Sequence, residues 1–334
     1  MIENNDISIQ EIIDALLDFD TPFPAKHLYY FSDIDPSDLN QLIPVWRDLP
    51  VWRRRGLVED LSELSNRDTV LSFKDVCLLA VEDEEPEVRL SAVKALGIYE
   101  EASFTNLFLN LLKDDQEVEI KAAAAGELGQ YVYLGEIESI DNSLLHEVED
   151  GLLEAQSEIY PEIVRRRALE ALGFSSRKEV SPLIEDAFQS GKNEWISSAL
   201  LAMGRSADEK WHSNILEMLD HKIPSIRYEA ARAAGALEIK DAADQLFDLV
   251  DDPDEDTRLA SIWSLTQIGG EGVGELIENL LDEADNEEDI DFLEAAAENL
   301  AFNESVQLFP LFDLPDNQFE DQENGFDEIE DIEF

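Results

Sequence analysis

Lysine and arginine are scarce in this chain: 24 of 334 residues, against 78 aspartates and glutamates, for a formal charge of -54. Affinity for a nucleic-acid backbone comes from clustered cations, so the shortage excludes unassisted phosphate binding. An acid excess of this size points to basic partners or cations, or to a medium whose salt screens the self-repulsion. Cysteine occurs once, as Cys77 in the apolar run Val76-Cys77-Leu78-Leu79-Ala80. That excludes an intrachain disulfide or a cysteine-based metal site and reads as a buried helix residue. No run approaches the roughly 18 apolar residues of a membrane-spanning helix. The start, Met1-Ile2-Glu3-Asn4-Asn5-Asp6, lacks the basic opening and apolar core of a signal peptide. The cytoplasm is the expected location.

Histidine is also sparse. His27, His146, His212 and His221 are too dispersed for a metal site, and no His-Glu-x-x-His occurs. Neither a metal nor an organic cofactor is expected. Asp252, Asp254 and Asp256 alternate like the start of a calcium loop, but Thr257 stands where that loop needs Gly and Trp263 where it needs Glu. Acidic capping of the following helix is the favoured reading. Gly269-Gly270-Glu271-Gly272-Val273-Gly274 is glycine-rich but joins two helical segments and contains no Lys, so phosphate cradling is unsupported. No nucleophile, base and acid arrangement can be read along the chain, and a catalytic role is not expected.

What the chain does contain is a repeat. Ile226-Arg227-Tyr228-Glu229-Ala230-Ala231-Arg232-Ala233-Ala234-Gly235 recurs 31 residues later as Thr257-Arg258-Leu259-Ala260-Ser261-Ile262-Trp263-Ser264-Leu265-Thr266. Each copy precedes a second amphipathic segment, Leu246-Phe247-Asp248-Leu249-Val250 or Leu276-Ile277-Glu278-Asn279-Leu280-Leu281. Ile226, Ala230, Ala233, Ala234 and Leu237 form one stripe of a 3.6-residue helix, and most are small. Small residues let helix axes approach to roughly 8–10 Å. A two-helix unit this short cannot bury both faces alone, so it must stack on copies of itself.

The pattern can be followed by its closing dipeptides, Leu96-Gly97, Leu128-Gly129, Leu172-Gly173, Met203-Gly204, Ala234-Gly235, Leu265-Thr266 and Leu300-Ala301, at intervals of 32, 44, 31, 31, 31 and 35. The 44-residue interval calls for about a dozen extra residues around Tyr131 to Leu145, expected as a surface elaboration. Before the repeats, residues 7–18 read as a short amphipathic helix, and Asp35-Pro36 as a cap and first turn of another ending near Leu49-Pro50. Arg53-Arg54-Arg55, with Arg47 nearby, is the densest positive charge, read as a docking patch or, in preference, as pairing with the chain's own acids. After Arg258 there is no Lys or Arg, while the last 76 residues hold 23 acids. Beyond Phe302, aromatic and aliphatic residues lie among carboxylates without helical periodicity, the composition of a disordered tail that either solubilises or carries a linear motif.

Asp254-Glu255-Asp256-Thr257-Arg258-Leu259-Ala260-Ser261-Ile262-Trp263-Ser264-Leu265-Thr266-Gln267-Ile268-Gly269 resembles a HEAT-repeat unit, most closely the phycobilisome-lyase HEAT-like subclass, and the resemblance covers about residues 84–301. It implies an all-α, right-handed α-solenoid over residues 51–301, after an irregular helical segment at 1–50 and before a disordered acidic tail at 302–334. It implies further that the first helix of each unit lies on the convex side and the second lines the concave side. The recurrent cation of each unit, Arg89, Lys121, Arg165, Arg227 or Arg258, is then structural, with the arginines pairing with Asp in inter-repeat turns. Deoxyhypusine hydroxylase, an iron enzyme on a HEAT scaffold, takes ligands from several His-Glu pairs. Only His146-Glu147 exists here, so that chemistry does not carry over.

The expected function is a non-catalytic scaffold or adaptor holding a basic protein, with no nucleic acid and no membrane as partner. Alternatives are a bilin lyase or chromophore-attachment factor, suggested by the repeat subclass, and an acidic chaperone or nucleic-acid mimic that shields basic proteins. Five second helices carry an apolar pair followed by an acid, at Glu154, Glu185, Glu217, Asp248 and Glu278, spaced 31, 32, 31 and 30 residues apart. Stacking would align these acids into one negative stripe in the partner-binding groove.

Overall fold

The computed structural model describes residues 7–308, with side chains to 305. The signal-peptide reading of residues 1–6 and the tail reading from Phe309 onward lie outside the described residues. Within them the chain is α-helical with short 3₁₀ turns and has no strand. No described helix is long and apolar enough to cross a membrane. The chain divides into two compact units, Met1–Ser264 and Leu265–Phe334.

The first unit opens with α1 (Ile9–Leu17), the single turn α2 (Ala25–Leu28) and α3 (Pro36–Trp46). Ser8 caps α1, accepting from the Glu11 amide at 3.3 Å, and Ile12, Ile13 and Leu16 are buried. α3 starts as its sequence dictates: the Asp35 carboxylate accepts the Ser37 amide at 2.8 Å and Pro36 fills the first turn. At its far end the Trp46 indole donates to Asp83 Oδ2 at 2.6 Å, and Arg54 Nε lies 3.3 Å from the same oxygen. This buried node ties the N-terminal helices to the repeats.

The repeats run through α4 (Val51–Arg67), α5 (Lys74–Ala80), α6 (Pro86–Leu96), α7 (Phe104–Asp114), α8 (Val118–Glu136), α9 (Asn142–Glu154), α10 (Glu162–Leu172), α11 (Val180–Gln189), α12 (Asn193–Arg205), α13 (His212–Leu219), α14 (Pro224–Ala236), α15 (Ala243–Leu249) and α16 (Glu255–Ile268). They form two layers. Even-numbered helices pack one on the next from α4 to α14, and α5, α7, α9, α11 and α13 each pack chiefly against their even neighbours. α16 joins the even layer where the Ser264 hydroxyl donates to the Ala231 carbonyl at 2.8 Å.

Side-chain size produces this asymmetry. Ala92, Ala124, Ala168, Ala199 and Ala230, at equivalent places in the even helices, are completely buried. A Cβ on Gly173 would stand 2.7 Å from the Ala202 Cα, and one on Gly204 2.9 Å from the Ala233 Cα. Only glycine permits backbones so close. The layer of first helices, the even ones, is thus the closely packed one.

The long repeat interval also differs from its expectation of a surface elaboration. Its residues lengthen α8 to 19 residues, with Tyr131, Val132, Leu134 and Gly135 buried. The Tyr131 hydroxyl donates to the Tyr99 and Glu101 carbonyls at 3.2 and 3.1 Å. An apolar run with no proline continues the helix instead of looping out.

In the second unit, the end of α16 passes through Gly269, Gly270 and Gly272, at φ 68°, 116° and 89°, into α17 (Val273–Glu283) and α18 (Glu287–Leu308). Left-handed backbone at three positions of four explains the glycines. α17 packs on α18. Asn299 and Asn303 of α18 donate to the Thr266 hydroxyl and carbonyl at 2.7 and 3.1 Å. The tail boundary expected at 302 thus falls inside a helix that runs on to Leu308.

Candidate functional site

The recurrent cations sit at the ends of the even helices and bind the turns between helices. Arg89 reaches Asp115 with Nε and Nη2, both at 3.2 Å, and donates from Nη1 to the Asp83 carbonyl at 3.0 Å. Arg227 makes the same fork on Asp252, 2.7 Å on each side, with Nη1 on the His221 carbonyl at 2.8 Å. Asp115 and Asp252 also accept the amides of Glu117 and Asp254 at 2.8 and 2.9 Å, so each carboxylate closes its own turn while holding the preceding repeat. Three cations use carbonyls instead. Arg258 donates to Asp252 O at 3.0 Å, Arg165 to Gln156 O at 3.1 Å, and Lys121 to Lys113 O at 2.6 Å. Arg165 also lies 5.4 Å from the centre of the Trp195 ring.

The Arg53-Arg54-Arg55 run is consumed internally. Arg53 donates to the Asp18 and Thr21 carbonyls at 2.7 and 2.9 Å, Arg54 meets Asp83, and Arg55 pairs with Glu59 and Glu87 at 3.3 and 3.0 Å. The Asp252-Asp254-Asp256 run is a cap: Asp254 Oδ1 accepts the Thr257 amide at 3.0 Å and its hydroxyl at 2.7 Å, while Asp252 serves Arg227. Among the described residues no cluster of three or more His, Cys, Asp or Glu is placed to hold a metal.

A serine, a histidine and a carboxylate do meet around buried Glu149. The Ser175 hydroxyl donates to one of its oxygens, and His146 Nδ1 lies 3.2 Å from the other. The hub is the carboxylate, so the serine is not hydrogen-bonded to the imidazole that would have to take its proton. The arrangement joins the connection between α10 and α11 to α9 and orders no nucleophile.

The periodic acids lie on the odd helices. Glu154 ends α9, Glu217 is on α13 and Asp248 on α15, all exposed; Glu185 on α11 is half-buried and accepts from Gln189. Glu278 holds the corresponding exposed place on α17, in the second unit. None of the five has a cationic partner among the described residues.

The even layer carries a second charged group, one that sequence reasoning missed. Arg167 of α10, Arg205 at the end of α12 and Arg232 of α14 surround Glu170 and Glu229, and Arg166 of α10 adjoins them through the Ser198 hydroxyl, which donates to Glu170 at 2.6 Å. Arg167 bonds Glu170 at 2.6 Å and Arg232 bonds Glu229 at 3.2 Å. Arg205 has no carboxylate within ion-pairing distance among the described residues; it donates to the Glu170 carbonyl at 2.8 Å and lies 4.8 Å above Phe174, whose ring is 5.3 Å from that of Tyr133. Burial, with Arg232 and Arg167 adding to it, lowers the Arg205 pKa although Glu170 and Glu229 oppose the shift. Burial likewise raises Glu229, with Arg232 opposing. Further along the layer, burial above Gly97 pushes Glu127 up to about 7, against the pull of Lys94. The sequence signals are the run Arg165-Arg166-Arg167 and an Arg directly after Met203-Gly204, where the other repeats have none.

Residues 212–301 match the family model of HEAT repeats. Similar solved structures include YibA of Escherichia coli, 15% identical over 84% of this chain and 98% of that one, TM-score 0.42. Human deoxyhypusine hydroxylase in complex with glycerol is 18% identical over 78% of this chain and 95% of that one, TM-score 0.35. Importin beta is 13% identical over 90% of this chain and 45% of that one, TM-score 0.40. No curated protein matches the sequence.

Proposed function

We propose that the chain is a non-catalytic protein-binding scaffold that takes a basic segment of a protein partner on the solvent side of its odd helices. The residues assigned to the contact are Glu154, Glu185, Glu217 and Asp248 of the first unit; Glu278, in the second unit, occupies the equivalent place in its own repeat and is considered by itself. One observation carries the reading: these acids lack cations, whereas the acids of the inter-repeat turns and of the even layer at α10 and α14 face arginines. Unmatched carboxylates repeated from helix to helix repel one another, and a basic ligand relieves that repulsion. Complementary charge also speeds encounter and selects against acidic competitors.

The formal charge of -54 supports a protein partner over a nucleic acid for this face. The phycobilisome-lyase-like subclass rests on the unit at Asp254–Gly269 and adds no chemistry to the proposal. The test is affinity purification of the full chain at low and high salt with the captured proteins identified. The reading expects basic proteins, released as salt rises. Capture that is indifferent to salt, or confined to acidic proteins, contradicts it.

A further inference from the structure

The arginines of the even layer are out of keeping with the rest of the molecule. Acids outnumber cations by 78 to 24, yet Arg166 and Arg205 are half-buried and, among the described residues, neither has a carboxylate within ion-pairing distance, although Glu162 lies near the first and Glu170 and Glu229 near the second. Arg166 donates from Nη1 to the Glu194 carbonyl at 3.2 Å and to the Ser198 hydroxyl at 3.4 Å. Arg205 uses Nη1 on a backbone carbonyl, and its remaining donors have no partner among the described residues. Arg167 and Arg232 are paired on one side only, with side chains 50% and 45% exposed. Four guanidinia against Glu162, Glu170 and Glu229 leave the cluster locally positive, and Glu229 sits where burial disfavours its charged form.

Withdrawing a guanidinium from water without a counter-charge is costly, and an arriving anion removes that cost. Phe174, beneath Arg205 and against the half-exposed Tyr133, gives the site an aromatic floor. The cations are also arranged in series, on α10, α12 and α14. Helices packed this closely lie roughly 8–10 Å apart. A peptide in the extended polyproline II conformation advances about 3.1 Å per residue and returns to the same face every third residue, so carboxylates at every third position match that step. A single phosphate would engage one repeat only. A long polyphosphate would extend into the surrounding acids, whereas a short peptide stays within about a Debye length, roughly 8 Å, of the cluster.

We propose that the face formed by α10, α12 and α14 binds an extended acidic peptide segment of a partner protein, its carboxylates on Arg166, Arg167, Arg205 and Arg232 and an apolar side chain on Phe174 and Tyr133. This site is on the opposite layer from the acids assigned to a basic partner and does not depend on that assignment. The scaffold then offers two faces of opposite preference.

The experiment is fluorescence anisotropy on the full chain with a labelled peptide carrying Glu at every third position and one Phe, beside the same peptide with Gln for Glu. The Glu peptide is expected to bind and the Gln peptide not. Arg205→Gln and Arg232→Gln should each weaken binding by about tenfold, the loss that follows from removing one charge-assisted hydrogen-bonding partner. Arg232 is exposed enough that its variant keeps the fold, which circular dichroism checks, so the test survives if Arg205→Gln unfolds. Glu217→Gln with Asp248→Asn should leave the affinity unchanged or improve it. Equal binding of both peptides, no binding of either, or unchanged affinity in Arg232→Gln and a folded Arg205→Gln overturns the proposal. So does inorganic phosphate or a single-stranded RNA oligonucleotide that competes as well as the Glu peptide.

Discussion

Arg227 grips Asp252 of the next repeat with two parallel hydrogen bonds of 2.7 Å, and both side chains are almost fully buried. Breaking such a pair leaves one buried charge without its partner. Arg227→Met or Asp252→Asn should each destabilise the chain by about 3 kcal/mol, and the double variant should recover part of the loss because no charge is stranded. Denaturant midpoints of the four proteins form the cycle. The hydrogen bonds from Arg227 hold the Asp252 carboxyl below its ordinary 3.8. Its contribution is therefore complete above that value and lost as the pH falls through the lower folded one. Acid unfolding of the native chain should be steeper below about pH 4 than that of Asp252→Asn.

The packing of the even layer makes opposite predictions for small residues within it. Ala168 and Ala230 are completely buried, so Ala168→Leu and Ala230→Leu should each cost about 1–3 kcal/mol in denaturation midpoint measurements. Gly173→Ala should also destabilise, since the new methyl meets backbone of α12. Gly126, inside α8 with nothing near its missing side chain, behaves differently: Gly126→Ala should stabilise by about 0.5–1 kcal/mol.

Glu127 makes the stability of the even layer sensitive to pH in the direction opposite to Asp252. Burial raises its pKa from 4.5 to about 7, so between those values the folded state holds a proton that the unfolded state has released. Stability should fall as the pH rises through this window, by at most about 3 kcal/mol. Glu127→Gln should flatten that slope and leave the variant more stable than the native chain at pH 8. Urea midpoints at pH 5 and pH 8 for both proteins measure it.

Local chemistry made much of this molecule readable. The 31-residue recurrence and the alanine stripe define the even helices, and Asp35-Pro36 marks a helix start, because caps and periodicity act over a few residues. The acids of the odd helices were legible for the same reason, each following an apolar pair. The arginine cluster was not: Arg167, Arg205 and Arg232 lie in three different repeats, and only the closeness of those backbones brings them together. The length of α8 and the continuation of α18 past residue 302 were also hidden. Apolar contacts of Tyr131 to Gly135 and the bonds of Asn303 to Thr266 extend helices where sequence periodicity weakens.

If the acids of the odd helices form a specific surface for a basic protein segment, binding depends on where those acids stand and not on the overall charge alone. The most direct test is titration of a labelled Lys- and Arg-rich peptide against the native chain, the triple variant Glu185→Gln/Glu217→Gln/Asp248→Asn, and a control that removes the exposed acids Glu82, Glu100 and Glu119. The variants carry the same change in net charge, so any difference between them reflects position. A specific surface predicts a loss of about tenfold or more in affinity for the first variant, with a raised denaturation midpoint as like charges are removed, and a much smaller loss for the control. Equal losses in both would mean that the peptide senses only the overall charge, and undiminished binding by the first variant would contradict the claim outright.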